Sequence, residues 1–282
     1  MQFSKFLMLV SLTVKSIHGA PYAAIIMDPC SGAIIDGVDY QKVIYPASLT
    51  KMMTFYLIFD ALQRKKISLD TVFTVSRLAS QQPPSRWGLV SGQKISVKQC
   101  ILAMSVRSCN DVAVTVAENL TGSLKAFARL MNTTAQTLQM TQSCFYNPSG
   151  LHHPLHKSSA KDMALVLRAL LLKFPQYSHF LRVMAVKKKN QTLRTTNKLQ
   201  ASVVGMKMGK TGYTIPAGFN LATVVVRGQT PAIFVVMGMR SAAERDAHMS
   251  KIIHTFYTNP LNLSRILRYP LKKNTLSLKR KV

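Results

Sequence analysis

Residues 47–62 constrain this chain more than any other stretch of it. Leu49, Met52, Met53, Phe55, Leu57, Ile58 and Phe59 place apolar side chains almost all round a helix rather than along one stripe, and such a helix has to lie inside the protein. Pro46 marks its start, and the rest of the chain must wrap it. With 282 residues, 48% of them apolar, the chain is long enough for one large domain that does so.

The wrapping elements follow from pattern. Two apolar runs, 23–27 and 33–35, flank the turn-forming Asp28-Pro29-Cys30-Ser31-Gly32 and predict a hairpin. A second hairpin is predicted from 219–226 and 232–237, joined through Arg227-Gly228-Gln229-Thr230-Pro231. Helices are predicted at 97–106, 111–120, 123–138, 159–172 and 242–257. Strands near both ends with helices between them indicate a mixed α/β domain over 21–257, with one largely antiparallel sheet covered by helices. Beyond Tyr257 the Leu-, Lys- and Arg-rich residues 258–282, broken by Pro260 and Pro270, read as a basic tail.

At the amino terminus, Lys5, the apolar residues 6–14 and the small pair Gly19 and Ala20 resemble a secretory signal over 1–20, although Lys15 and His18 make a poor cleavage site. Export to the periplasm or the outer face of the cytoplasmic membrane is the expectation. No later segment has the ~18 uninterrupted apolar residues of a membrane span. The 37 Lys+Arg against 10 Asp+Glu give a net charge of +27, a field that favours polyanions. No zinc-finger spacing or aromatic RNA-binding motif accompanies it, so an anionic wall polymer or lipid surface fits better than specific nucleic acid. Lys187, Lys188, Lys189, Arg194, Lys198 and Lys207 concentrate that charge.

Cys30, Cys100, Cys109 and Cys144 lack zinc-site spacing and read as free, mostly buried thiols. His152, His153 and His156 crowd one loop without a carboxylate or cysteine beside them, and read as exposed loop histidines rather than metal ligands. Neither a metal nor a cofactor is expected.

Three short motifs carry the chemistry. In Ser48-Leu49-Thr50-Lys51, the serine and lysine are three residues apart and share a helix face, so a desolvated, partly neutral Lys51 can serve as the base that activates Ser48. In Ser108-Cys109-Asn110, placed between two helices, the hydroxyl can relay a proton to a leaving amine. The Asn110 amide can accept from Lys51 and donate to a substrate carbonyl, with Cys109 a core-facing spacer. In Lys210-Thr211-Gly212, the ammonium and the Thr211 hydroxyl suit a substrate carboxylate, and Gly212 leaves room for a substrate backbone along the strand. The Tyr213 N–H joins an N–H of the first motif as an oxyanion donor.

The set is the one shared by penicillin-binding proteins and serine β-lactamases. Residues 46–54, 108–113, 147–151 and 209–214 resemble the low-molecular-mass penicillin-binding proteins of the D-alanyl-D-alanine carboxypeptidase family, over about Pro21 to Tyr257. The resemblance implies a transpeptidase-like domain that removes the terminal D-alanine of peptidoglycan stem peptides through an acyl-serine and is acylated by β-lactams. It makes Ser48 the nucleophile, Lys51 the base, Ser108 the second-motif hydroxyl and Lys210 the substrate-binding lysine. It also implies an arginine beyond the third motif that holds the terminal carboxylate; Arg245 is the positional match and Arg240 its competitor.

Other readings of the same fold are a D,D-endopeptidase, a serine β-lactamase and a binding protein without activity. Glu118 and Glu244 are the only glutamates and neither lies where a class A β-lactamase carries its deacylating base; Asp162 reads as a helix-start residue. Carboxypeptidase and endopeptidase differ through cleft shape near Arg86, Trp87 and the loop 147–156.

Overall fold

The computed structural model describes residues 20–188 and 191–268. The signal segment up to residue 19, Lys189 and the chain beyond 268 lie outside the described residues. In chain order the elements are β1 (Ala23–Met27), β2 (Ile34–Val38), α1 (Lys51–Gln63), β3 (Val72–Thr74), α2 (Arg77–Ser80), β4 (Lys94–Ser96), α3 (Val97–Arg107), α4 (Asn110–Thr121) and α5 (Leu124–Thr137). There follow α6 (Ala160–Lys173), β5 (Ala185–Lys188), β6 (Gln191–Arg194), α7 (Leu199–Ser202), β7 (Met206–Thr214), β8 (Gly218–Arg227), β9 (Thr230–Met239), α8 (Ala242–Thr258) and α9 (Leu263–Leu267).

Five strands form one antiparallel sheet in the order β2-β1-β9-β8-β7. Its middle strands are apolar on both faces. In β1, Ala23, Ile25 and Met27 face the larger core with α1 and α3–α6, whereas Ala24 and Ile26 face a second core beneath α8 and α9. Strand alternation sorts residues between two buried faces here, which is why these strands read as continuous apolar runs. Both hairpins and all five long helices expected from the sequence are present, with ends moved by no more than a few residues.

Helix α1 buries every residue except Asp60 and Gln63, as its all-round apolar composition demands. Its beginning differs from the expectation. Residues Ala47–Thr50 form a 3₁₀ turn, and the α-helix starts at Lys51. Ser48 therefore lies on a tighter turn that precedes the helix.

The carboxy-terminal boundary also shifts. Leu263 and Leu267 are buried in the second core, and Tyr22 Oη donates to the Leu267 carbonyl at 2.9 Å. The described start of the segment read as a tail is thus packed onto the domain. Among the described residues, no helix is long and apolar enough to cross a membrane. All four cysteines are free; Cys100 and Cys109 are buried, but Cys30 and Cys144 are exposed, so the expectation of mostly buried thiols fits only the first pair.

Candidate active site

A cleft of about 710 Å³ opens between the sheet edge and the helices, and residues of all three motifs line it. Ser48 enters from the 3₁₀ turn. Side chains three apart eclipse in a 3₁₀ turn, and Lys51 Nζ accordingly lies 3.0 Å from Ser48 Oγ. Lys51 is fully buried. Its Nζ also donates to Asn110 Oδ1 at 2.8 Å and to the Ser149 carbonyl at 2.7 Å.

Two of these three partners, an amide oxygen and a carbonyl, can only accept; the Ser48 hydroxyl can also donate. A neutral Lys51 amine has two hydrogens and one lone pair. The two obligatory acceptors take the hydrogens, leaving the lone pair for the Ser48 hydroxyl. Burial, reinforced by the Lys210 charge, holds the Lys51 pKa well below the usual lysine range, which favours that neutral form.

Ser108 caps α3 in the left-handed region, φ 59°, and its N–H closes the last turn on the Met104 carbonyl at 3.0 Å. This conformation turns the side chain away from the helix toward Lys210, whose Nζ donates to Ser108 Oγ at 3.0 Å and to the Thr211 carbonyl at 2.7 Å. Lys210 is buried too, and burial lowers its pKa to about 7, with Arg245 pushing the same way. Asn110 is fixed by the strap that crosses it: its N–H donates to the Ser85 carbonyl at 2.8 Å and its Nδ2 to the Pro83 carbonyl at 3.1 Å.

Strand β7 forms the other wall. It begins at Met206, four residues before the strand-like segment expected from Lys210, and is an edge strand of the sheet. A Cβ on Gly212 would stand 3.0 Å from the backbone nitrogens of Ser48 and Leu49. The glycine thus lets the strand close on the chain's own serine turn, where the sequence reading assigned the space to substrate. Thr211 Oγ1 bonds Thr196 Oγ1 at 2.8 Å. Tyr213 stacks on Phe219 at the cleft wall, ring centroids 4.1 Å apart.

Of the two candidate arginines, Arg245 lines the cleft. It is buried, and its Nε and Nη2 both reach Asp246 Oδ1, at 2.9 and 2.6 Å. Arg240 is exposed and pairs with Glu244 at 2.8 Å. Arg86 and Trp87 do not line the cleft; their neighbours Pro84 and Ser85 do.

Residues 12–241 match the family described as D-alanyl-D-alanine carboxypeptidase, peptidase S11. The chain belongs to that family. The D-alanyl-D-alanine carboxypeptidase DacF of Bacillus subtilis (strain 168) is 32% identical over 249 residues, 85% of this chain and 64% of the relative. This chain therefore spans less than two thirds of that relative's length. Penicillin binding protein 6B from Escherichia coli superposes with a TM-score of 0.79 at 31% identity, covering 86% of this chain and 78% of that one. Penicillin-Binding Protein D2 from Listeria monocytogenes, solved in the cefotaxime bound form, gives a TM-score of 0.75 at 27% identity, covering 83% of this chain and 96% of that one.

Within this carboxypeptidase-family domain, several site residues escape a linear reading. The Ser149 carbonyl completes the Lys51 environment. Asn220 Nδ2 reaches the Pro46 carbonyl at 3.3 Å while its Oδ1 accepts from Gly238 N–H at 2.8 Å, which ties the serine turn to the sheet. Asp111 is fully buried and accepts from the backbone N–H groups of Trp87, Gly88, Leu89 and Val112, at 2.8 to 3.1 Å. A buried aspartate after the second motif was the available signal, and the sequence shows it only as a helix-start residue.

The loop histidines separate. His152 is exposed, His153 stacks on Tyr146 at 3.5 Å, and His156, read as exposed, is buried against Phe145 with its pKa lowered to about 3 by burial. Among the described residues, no group of three His, Cys, Asp or Glu side chains is placed to hold a metal. Cys109 is buried at the start of α4, and burial pushes its thiol up to about 12, so it is no rival nucleophile.

Proposed function

We propose that this chain is a serine-type D-Ala-D-Ala carboxypeptidase acting on peptidoglycan stem peptides, and that β-lactams acylate it at Ser48. The observation that carries the reading is the trio of partners around buried Lys51: two of them can only accept, so a neutral amine turns its lone pair to the Ser48 hydroxyl.

A stem peptide lies along the free edge of β7 as an added strand, with its terminal carboxylate toward Arg245, Lys210, Thr211 and Thr214. Thr214 lines the cleft and its Oγ1 is buried without a hydrogen-bond partner, a donor that a rotation about χ1 would offer to that carboxylate. Ser48 Oγ attacks the penultimate carbonyl carbon as its proton passes to Lys51. The developing oxyanion takes hydrogen bonds from the Ser48 and Tyr213 N–H groups. The C–N bond then breaks, the leaving amine receives the Ser108 hydroxyl proton, and Lys210 restores that proton. The remaining Asn110 amide hydrogen holds the acyl-side carbonyl, and water releases the acyl group.

A β-lactamase is disfavoured because, among the described residues, no carboxylate lines the cleft. Glu118 accepts instead from Ser76 Oγ at 2.6 Å, and Asp162 from Ser143 and Gln142 at 2.8 Å. Action at the periplasm or the outer face of the cytoplasmic membrane follows from the substrate and from the signal read at 1–20. The basic surface adds electrostatic attraction to the anionic wall or membrane.

The test is mass spectrometry of the protein after incubation with benzylpenicillin and, separately, with diacetyl-Lys-D-Ala-D-Ala. A penicilloyl adduct on Ser48 and release of D-alanine are expected. No adduct and no release would overturn the catalytic assignment.

A further inference from the structure

His156 is the one histidine of its loop that the proposed reaction does not use and the fold nevertheless buries. Its two ring nitrogens have different partners. Nδ1 receives the backbone N–H of Tyr146 at 3.2 Å, and Nε2 lies 2.8 Å from Thr50 Oγ1. An N–H donor requires a lone pair opposite it, so Nδ1 is unprotonated, and the hydrogen of the neutral ring sits on Nε2 and donates to Thr50. Phe145 closes over the ring edge-on, centroids 5.7 Å apart.

The two partners belong to two parts of the site. Thr50 is the residue immediately before Lys51. Tyr146 opens the loop that ends at Ser149, whose carbonyl is the shortest contact of Lys51 Nζ at 2.7 Å. One α-helical turn past Thr50, Thr54 Oγ1 donates to the Pro148 carbonyl at 2.7 Å. On the far side, Gly150, with φ +81°, lies so close to the Ala47 carbonyl that a Cβ would be 1.8 Å away. Besides the contacts of the Ser149 carbonyl itself, the loop is thus held to the serine turn and α1 through His156, Thr54 and Gly150. Of these three, His156 is the one whose side chain hydrogen-bonds to both pieces, Thr50 on one side and Tyr146 on the other.

We propose that His156 is a positioning residue for the general base: as a single fixed tautomer it clamps the 146–149 loop to Thr50, and so holds the Ser149 carbonyl on Lys51. This rests on the reading of Lys51 as the base of an acylation. Loss of the clamp frees that carbonyl and admits water beside Nζ. The titratable groups facing Lys51 are Lys210 on β7 and Asp111 on α4, with the Cys109 thiol beside them; those facing His156 are His152, His153 and Lys51. None of them changes in the variants below, so a shift of the pH profile reports the clamp.

The experiment measures acylation by a fluorescent penicillin against pH for the wild type, His156→Leu, His156→Gln, Thr50→Val and the His156→Leu/Thr50→Val double variant. His156→Leu and Thr50→Val should each slow acylation by about tenfold to a hundredfold, the cost of a misplaced catalytic group, and move the acidic limb to higher pH. The double variant should be no slower than the slower single, since both break one link. His156→Gln, which keeps an amide donor for Thr50, should recover part of the rate. Wild-type rate and acidic limb in His156→Leu, or additive losses in the double variant, would overturn the proposal. Thr50→Val, nearly isosteric, decides the matter by its rate and limb if His156→Leu does not fold. Absence of acylation in the wild type would instead overturn the reading of the site.

Discussion

Lys210 Nζ donates to Ser108 Oγ at 3.0 Å, so the lysine and serine of two motifs 102 residues apart form one hydrogen-bonded pair. The proposed reaction needs Lys210 charged and Lys51 neutral. Because burial brings Lys210 to about 7 and Lys51 well below the lysine range, both conditions hold only in a window. Acylation by a neutral ester substrate, plotted as kcat/KM against pH, should rise as Lys51 deprotonates and fall near pH 7 as Lys210 does. A profile that stays flat to about pH 9 would remove Lys210 from the proton path.

Lys51→Gln keeps hydrogen-bonding capacity and loses the base. Formation of the penicilloyl adduct should slow by about 10²–10⁴-fold, the usual contribution of a positioned general base. Stopped-flow acylation kinetics with an unchanged circular dichroism spectrum would give the number.

Gly212→Ala tests the closure of β7 on the serine turn. Its Cβ would meet the Ser48 and Leu49 nitrogens at 3.0 Å and Pro46 O at 3.1 Å. The strand must retreat by a few tenths of an ångström, which widens the gap between the two proposed oxyanion donors. We expect kcat to fall by at least about tenfold with KM less affected, as donors worth about 2.7–4 kcal/mol each are misaligned. Steady-state kinetics checks the split.

Asp111→Ala removes the acceptor of four backbone N–H groups and leaves those of Trp87, Gly88 and Leu89 facing a void. Buried donors without partners cost about 1–3 kcal/mol each. A loss of several kcal/mol, read from urea unfolding, is expected even though Asp111 makes no contact in the proposed reaction.

Lys210→Met should abolish activity and stabilise the fold at neutral pH by about 1–4 kcal/mol, since a buried charge gives way to an apolar chain. The sign follows from linkage. The folded pKa of about 7 lies below the unfolded value of 10.5, so between them the unfolded chain binds more protons and wild-type stability rises with pH. The advantage of the variant should shrink as pH climbs from 7 toward 10.5. Thermal unfolding at several pH values measures this.

Local patterns made much of this architecture legible in the sequence. Ser48 and Lys51 are three apart, and the two Gly- and Pro-punctuated hairpins and α3 to α6 announce themselves by spacing and composition. What stayed hidden was set through space. The Ser149 carbonyl comes to Lys51 from 98 positions away and carries no side-chain signal. Asp111 looks like a helix-start residue because its partners lie 22 to 24 residues upstream. The short strand pairs β3–β4 and β5–β6 are too brief for periodicity to separate them from loops. Residues Ala47–Thr50 wind as a 3₁₀ turn with Gly150 and Gly212 packed against them, neighbours that no window around Ser48 contains.

Strand β9 lies between β1 and β8, so the last strand made is the one that joins the amino-terminal hairpin to the strand pair carrying Lys210. A chain still emerging from the ribosome has Ser48 early but no wall to set against it. The proposed site is therefore assembled from both ends of the domain, since β9 must be in place to join Ser48 to Lys210 and Arg245 follows later still.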